Sequence, residues 1–492
     1  MRRIVLGPFN RVEGDLEVSL EVADGHVRSA QVTAPLYRGF ENVLLGKTPL
    51  DALVFVPRIC GICSVSQSAA AAAALRAAMG IVPAPNGELV SALVLAAENL
   101  ADHVTHFYLF FMPDFAREAY RTQNWHAAAR ARFEAVKGSA TAEVLPARAA
   151  FLELTGTLAG KWPHTLALQP GGSTRTVAKN DKLRLLALLR RFRLFLEQRL
   201  LGDSLEAFAA LDSEAALWRW ADARTAHEGD FRHFLHIARA LSLASLGRAG
   251  DRFLSFGAYP LNGQALFASG TWQEGMAAPL DPQAITEDGR HAWLRDDPGR
   301  HSPGAPPTGA HPFSARTEPV ADKEGAYSWC KAPRLDGQTL ECGALARQLI
   351  DGHPLVRDLV ARGGGNVLSR VTARTLELAR VLPAMEHWVQ AIVPGEPFCM
   401  QGEMPEQTRG AGLVEAARGS LGHWLVVNKG VIANYQIIAP TTWNFSPRDG
   451  AGQPGALEQA LAGTPVGEDE RVPLAVQHIV RSFDPCMSCT VH

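Results

Sequence analysis

The chain has 492 residues, 47% hydrophobic and 20% charged, enough apolar material for a large buried core in a soluble globular protein. Lys and Arg (48) nearly balance Asp and Glu (50), which excludes both a basic field for nucleic acid and an acidic disordered tail. Seven cysteines are too sparse and too odd in number for a disulfide framework, and point to a reducing compartment.

The N-terminal apolar run Ile4-Val5-Leu6 stops too soon for a signal peptide, and no stretch is long and apolar enough for a membrane span. The expected location is therefore the cytoplasm, although a partner carrying a signal would also permit export. Residues 12–34 alternate in the strand manner around Asp24-Gly25 and predict a small antiparallel sheet. Glu13 and Glu41 flank it as isolated acids, ordinarily a solvated face. An alanine run predicts a helix over Ser66–Gly80, entered directly from Cys63, where a helix N-terminus favours thiolate. Residues 88–112 predict a long helix whose Asn99, Asp102, His103, His106 and Phe110 share one face. The two histidines read first as satisfied core residues, whereas a buried Asp102 requires a cationic partner. Further helices are expected near 180–208, 214–223, 231–246, 344–361 and 366–392. Residues 270–325, rich in Pro, Gly, His and Asp, read as an ordered surface excursion, and 423–440 as a hairpin around Asn428-Lys429-Gly430. The expected fold class is mostly α with small β-sheets (α+β), in a single domain over 1–492.

Two CxxC pairs, Cys60/Cys63 and Cys486/Cys489, lie near opposite ends of the sequence, the second followed by His492. Four thiolates select zinc, iron–sulfur clusters, copper(I) or nickel. Zinc modules usually keep their pairs within a few tens of residues and stabilise small folds, so a redox or catalytic metal is preferred here. Cys330, Cys342 and Cys399 are too scattered to hold a cluster and read as small hydrophobes.

The residues around both motifs, Arg58-Ile59-Cys60-Gly61-Ile62-Cys63 and Asp484-Pro485-Cys486-Met487-Ser488-Cys489-Thr490-Val491-His492, resemble the signature pair of nickel–iron hydrogenase large subunits. The likeness continues in family order through Arg11-Val12-Glu13-Gly14, Arg38-Gly39-Phe40-Glu41, His106-Phe107-Tyr108, Trp329-Cys330-Lys331-Ala332-Pro333-Arg334, Glu415-Ala416-Ala417-Arg418-Gly419 and Pro440-Thr441-Thr442-Trp443-Asn444. The resemblance implies the family's large helical-bundle core and a nickel–iron centre with carbon monoxide and two cyanides on iron. By family pattern Cys60 and Cys486 bind nickel terminally, and Cys63 and Cys489 bridge the metals. Arg418 and Thr441 correspond to groups that contact the cyanides, Asp102 and Asp484 to carboxylates that orient the arginine. Glu13 corresponds to the residue that takes a proton from Cys486. Glu41, His492 and the backbone carbonyl near Ile437 correspond to a magnesium site. Dihydrogen is the implied substrate, and an iron–sulfur small subunit the implied partner, in a heterodimer open to further dimerisation.

Departures from the pattern point within the family. Gln67 stands where most relatives have histidine, Asp15 replaces the histidine of the N-terminal block, and Ala417 replaces the proline before the arginine. Ile62 and Phe110 are larger than the usual Val and Leu at two gas-channel positions. Gln67, Ile62 and Phe110 together resemble the dihydrogen-sensing, regulatory branch, which implies low turnover, oxygen tolerance and a histidine kinase partner. The ending at His492 is that of sensors as translated, and equally of a catalytic chain after removal of its tail. The rival readings are a catalytic uptake hydrogenase and a non-catalytic zinc-bound scaffold.

Overall fold

The computed structural model describes residues 2–296 and 309–490. Alternating residues near the N-terminus form Arg2–Leu6 (β1), Glu17–Ala23 (β2) and His26–Thr33 (β3), an antiparallel sheet in the order β1-β2-β3. Residues 12–16, expected to begin this sheet, stand outside it, and Glu13 instead bridges to Cys486. The alanine run forms Ser64–Met79 (α1), which starts directly after Cys63 and stops at Gly80.

The polar-faced helix is Pro85–Thr105 (α2). It passes into a π turn at His106–Phe111 and a 3-10 turn at Met112–Ala116, so the stretch expected as one helix has three local geometries. Ser139–Ala159 (α3) forms a helix where none was expected; its periodicity is blurred by Pro146 and scattered polar residues. Lys179–Phe195 (α4) continues through a π turn at Leu196–Leu201 to the short helix Leu205–Ala209. Glu214–Asp222 and Asp230–Ala240 follow. The stretch 344–361 divides into Ala344–Asp351 and Pro354–Gly363, because Gly352 is left-handed and Pro354 starts a new first turn. Val367–Ala391 (α5) is capped by the Asn366 side chain. No helix among the described residues is long and apolar enough to cross a membrane.

Further sheets complete the body. Phe253–Leu261 and Gln264–Gln273 form the centre of a four-stranded sheet that reaches into the expected surface excursion through Met276–Ala278. The excursion also holds Ile285–Asp288, paired with Ala332–Leu335, and 297–308 lie outside the described residues. The C-terminal hairpin consists of Gly419–Asn428 (β4) and Val431–Ile438 (β5), with Thr408–Ala416 as a third strand on the outside of β4. That strand, which was not among the expected elements, carries Gly410 and Gly412. Their purpose is contact: a Cβ on Gly412 would lie 2.0 Å from the Ala70 carbonyl oxygen, and one on Gly410 2.2 Å from that of Ala74. Alanines on α1 and glycines on the strand let helix and sheet approach as closely as backbones can.

The helix α2 packs against α3 and α5 within the main hydrophobic core. A second core cluster surrounds Cys60, Cys63, Cys486 and Cys489 with Leu44, Ile59, Leu421, Tyr435 and Ile437.

Candidate metal centre

The two CxxC pairs meet. Cys60 and Cys486 sulfurs are 3.5 Å apart, Cys63 and Cys489 3.0 Å, and Cys486 and Cys489 2.9 Å. All four lie within 4.8 Å of one another and are 9% exposed or less. A metal about 2.3 Å from each sulfur spans at most about 4.6 Å between opposite sulfurs, so the donor set fits a soft-metal centre. The Cys60 sulfur, hydrogen-bonded by Cys486, Cys489 and Cys63, is held well below the ordinary thiol pKa. Cys63 and Cys486 are pushed well above it, as expected where several sulfurs share one charge.

The C-terminal segment that brings the second pair is fastened at several points. Glu13 N–H donates to the Pro485 carbonyl at 3.4 Å, and Met487 N–H to the Glu13 carbonyl at 2.7 Å. Gly14, at φ +78°, lies so close beneath that a Cβ would stand 2.8 Å from Ser488 N. The Arg38 guanidinium donates to the Ile59 carbonyl at 2.6 Å and to the Ser488 carbonyl, joining the residues that precede Cys60 and Cys489. Cys486 N–H donates to Thr441 Oγ1 at 3.0 Å, and the accepting hydroxyl keeps a proton of its own to donate.

Arg418 is buried beside the sulfurs. It lies 2.8 Å from Asp102 Oδ2, donates to Asp102 Oδ1 at 3.1 Å and Asp484 Oδ1 at 3.2 Å, and reaches the Asp484 carbonyl at 2.9 Å. This supplies the cation that a buried Asp102 demanded. Against the cost of burial, Asp102 and Asp484 hold Arg418 well above its ordinary pKa. Burial carries Asp102 up to about 7; for Asp484 burial is also the largest influence, but Arg418 and the neighbouring His106, Arg374 and His103 together overcome it and lower the pKa. The half-buried Glu13 is raised, first by burial and then by the charge on Cys60, with Arg418 and Arg38 opposing.

His103 and His106 prove to be core histidines: His103 Nε2 meets Glu377 at 3.1 Å and His106 Nε2 the Arg481 carbonyl at 2.7 Å. Gln67 is buried, its Oε1 2.8 Å from His423 Nε2, whose Nδ1 is 2.8 Å from the Tyr435 hydroxyl. Ile62 and Phe110 are half-buried, Ile62 between the first two cysteines and Phe110 in the π turn, its carbonyl accepting from Arg11 at 3.0 Å.

Glu41 is buried apart from the sulfurs. It accepts from Ile437 N–H at 2.8 Å and from the Thr317 hydroxyl, with Lys331 Nζ 3.5 Å away. A cavity of about 10 Å³ lies among Glu41, Glu287, Thr317, Lys331, Ile437 and Thr490. Its carboxylates and threonine hydroxyls are the donor type a hard cation takes, beside Leu294 and Trp329 and with the Lys331 ammonium 3.5 Å from Glu41 and 3.4 Å from Glu287. Ile437 meets Glu41 through its N–H, and His492 lies outside the described residues.

Sequence reasoning missed several buried groups. Glu98 accepts from Val65 N–H (2.9 Å), Ser66 N–H (2.8 Å), Ser66 Oγ (2.9 Å) and the Trp162 indole (3.0 Å). Its signal was a second acid one turn before Asp102. Arg347 joins Glu377 and Glu415, and Arg370 pairs with Glu341, ion pairs assembled from distant segments with no local pattern.

A helical body with small sheets, closed around four thiolates from the two ends of the chain and a buried arginine, defines a metal-centred redox protein. The sequence profile of the nickel-dependent hydrogenase family matches residues 38–135 and 140–492. The chain belongs to that family, as a hydrogenase large subunit that binds the nickel–iron site. It is 29% identical to the periplasmic NiFeSe hydrogenase large subunit of Desulfomicrobium baculatum, over 100% of this chain and 95% of the relative. It is 27% identical to the uptake hydrogenase large subunit of Rhodobacter capsulatus, over 100% and 95%. The solved Ni-Fe-Se hydrogenase of D. vulgaris Hildenborough superposes with a TM-score of 0.83 at 30% identity, with 100% of both chains covered.

Proposed function

We propose that this large subunit is a cytoplasmic dihydrogen sensor, paired with an iron–sulfur small subunit and reporting to a histidine kinase. The observation that carries the catalytic core of this reading is the buried cluster of Cys60, Cys63, Cys486 and Cys489 beside Arg418. In the family pattern the cluster holds nickel and an iron with one carbon monoxide and two cyanides. When bound, this centre supplies heterolytic cleavage of dihydrogen.

The chain's own groups serve that chemistry. Cys60 and Cys486, together with Cys63 and Cys489, would hold the nickel–iron group through their four sulfurs. Arg418, fixed by Asp102 and Asp484, presents a constant positive charge in a dry pocket. The Thr441 hydroxyl, anchored by Cys486 N–H, has a proton for a second acceptor at the iron ligands. Glu13, raised in pKa and tethered beside Cys486, receives a proton from that sulfur and passes it outward. By the family pattern Glu41, with the Ile437 carbonyl and His492, would bind magnesium, and the cavity beside Glu41 supports the Glu41 part of that reading. Electrons leave to clusters in the partner. A partner is supported by the exposed Leu36, Val43, Leu45, Leu50 and Val54 in the segment that precedes the first CxxC in sequence. The sparse cysteines support a reducing compartment.

Gln67, Ile62 and Phe110 support the sensing role. The uptake reading is favoured instead by the name of the Rhodobacter capsulatus relative. Infrared spectroscopy with metal analysis of the purified heterodimer tests the centre. Bands from carbon monoxide and cyanide with nickel and iron are expected; one zinc and no such bands would establish the scaffold reading. The sensing role is tested by Ile62→Val with Phe110→Leu, expected to make dihydrogen oxidation sensitive to dioxygen. A parent already inhibited by dioxygen, or a double variant as tolerant as the parent, would show that the bulk of Ile62 and Phe110 does not restrict dioxygen.

A further inference from the structure

Helix α1 begins directly after Cys63, and Cys63 is its N-cap residue without making a side-chain cap. The first backbone N–H groups of such a helix need acceptors, and they carry roughly half a positive charge toward whatever lies in front of them. Here the acceptor comes from another helix. Glu98 on α2, 2% exposed, takes Val65 and Ser66 N–H, the Ser66 hydroxyl and the Trp162 indole, with Ser64 Oγ at 3.5 Å. Ser64 Oγ in turn accepts His164 N–H at 3.2 Å, and His164 Nδ1 lies 2.8 Å from the Pro57 carbonyl, so the loop before the first CxxC is tied into the same knot. One helical turn along the same face of α2, Asp102 holds Arg418. Two carboxylates on one rigid helix therefore fix both the residue following Cys63 and the arginine beside the sulfurs.

We propose that Glu98 is a positioning residue for the metal centre: its buried carboxylate caps the helix that follows Cys63, sets where the Cys63 sulfur stands, and offsets the positive potential that the helix end presents to it. It touches neither substrate nor metal and acts through Ser64, Val65 and Ser66. Burial carries Glu98 up to about 7 against the hydrogen bonds that favour its ionised form, so its charge is present above that pH. Removing it there leaves the helix end uncompensated, which withdraws electron density from the Cys63 sulfur and from a metal bound to it. Glutamine is the discriminating replacement, because it keeps the shape, loses the charge and turns an NH₂ toward N–H donors.

The proposal rests on the nickel–iron reading, and infrared bands of the purified heterodimer separate the two. Glu98→Gln is expected to retain nickel and iron and to move the carbon monoxide and cyanide bands to higher wavenumber, while Glu98→Asp returns them toward the parent. Bands in Glu98→Gln that coincide with the parent's, or an aspartate variant displaced as far as the glutamine one, overturn it. A parent without bands overturns the nickel–iron reading itself, and this proposal with it. If Glu98→Gln fails to fold, Trp162→Phe decides: it strips one donor from the carboxylate, so the bands should move to lower wavenumber, and unmoved bands overturn the proposal.

Discussion

Glu13 is fixed by its backbone, which bridges to Cys486 and exchanges hydrogen bonds with Pro485 and Met487, while its carboxyl is half-buried and raised in pKa. That division suits a relay: the main chain sets the distance to the sulfurs, and the side chain is left to change protonation. Glu13→Gln leaves every backbone bond in place, so metal content should match the parent while dihydrogen/deuterium exchange falls about a hundredfold or more. Exchange at the parental rate would assign the proton to another group. At this scale the sequence was informative wherever a residue's neighbours along the chain belong to the site. Asp102 announced a missing cation, and Arg418 is that cation. Glu98 went unread, since its partners at Ser64–Ser66 and Trp162 are brought to it only by the fold.

The helix α1 and the strand Thr408–Ala416 show why elements were legible unevenly. The alanine run predicts a helix within two residues of its observed start, because propensity alone specifies it. The strand opposite was invisible, because the glycines that let it approach the helix are the residues that look like loop. Two cis-acting rules also divided expected helices: the π turn at His106–Phe111 and the Gly352/Pro354 break, both overridden in a reading by hydrophobic period. The glycine contact has mechanical reach, since α1 begins at Cys63. A methyl at Gly412 must push Ala70 and with it the helix. Gly412→Ala is expected to destabilise by about 1–3 kcal/mol and to lower the metal content of the purified protein. A thermal midpoint and metal content equal to the parent's would show that the helix has room to move.

Across the whole molecule, surface ion pairs such as Arg28 with Asp24 and Arg239 with Asp222 are joined by a second set that lies deep. Arg347 with Glu377 and Glu415, Arg370 with Glu341, and Arg418 with Asp102 and Asp484 are buried and built from segments far apart in sequence. Composition alone gave a near-neutral chain with a large core, and could not give this placement: which charges pair inside depends on topology, and the sequence carries no local trace of it. The signature pairs were the exception, because thiolates at such spacing have few alternatives to a shared metal.

The 426 positions between Cys60 and Cys486 also set a timetable. At roughly 5–20 residues per second, a ribosome needs about 20–85 s after making the first pair before the second emerges. Throughout that interval Cys60 and Cys63 are an open dithiol, available to any soft ion or oxidant in reach. The finished pocket is protected by Arg38, Gly14 and the Glu13 bridge, none of which can act until the last segment arrives. Biogenesis of this protein therefore contains a vulnerable half-site, and a cell that makes it must either shield those two thiols or keep competing metals scarce.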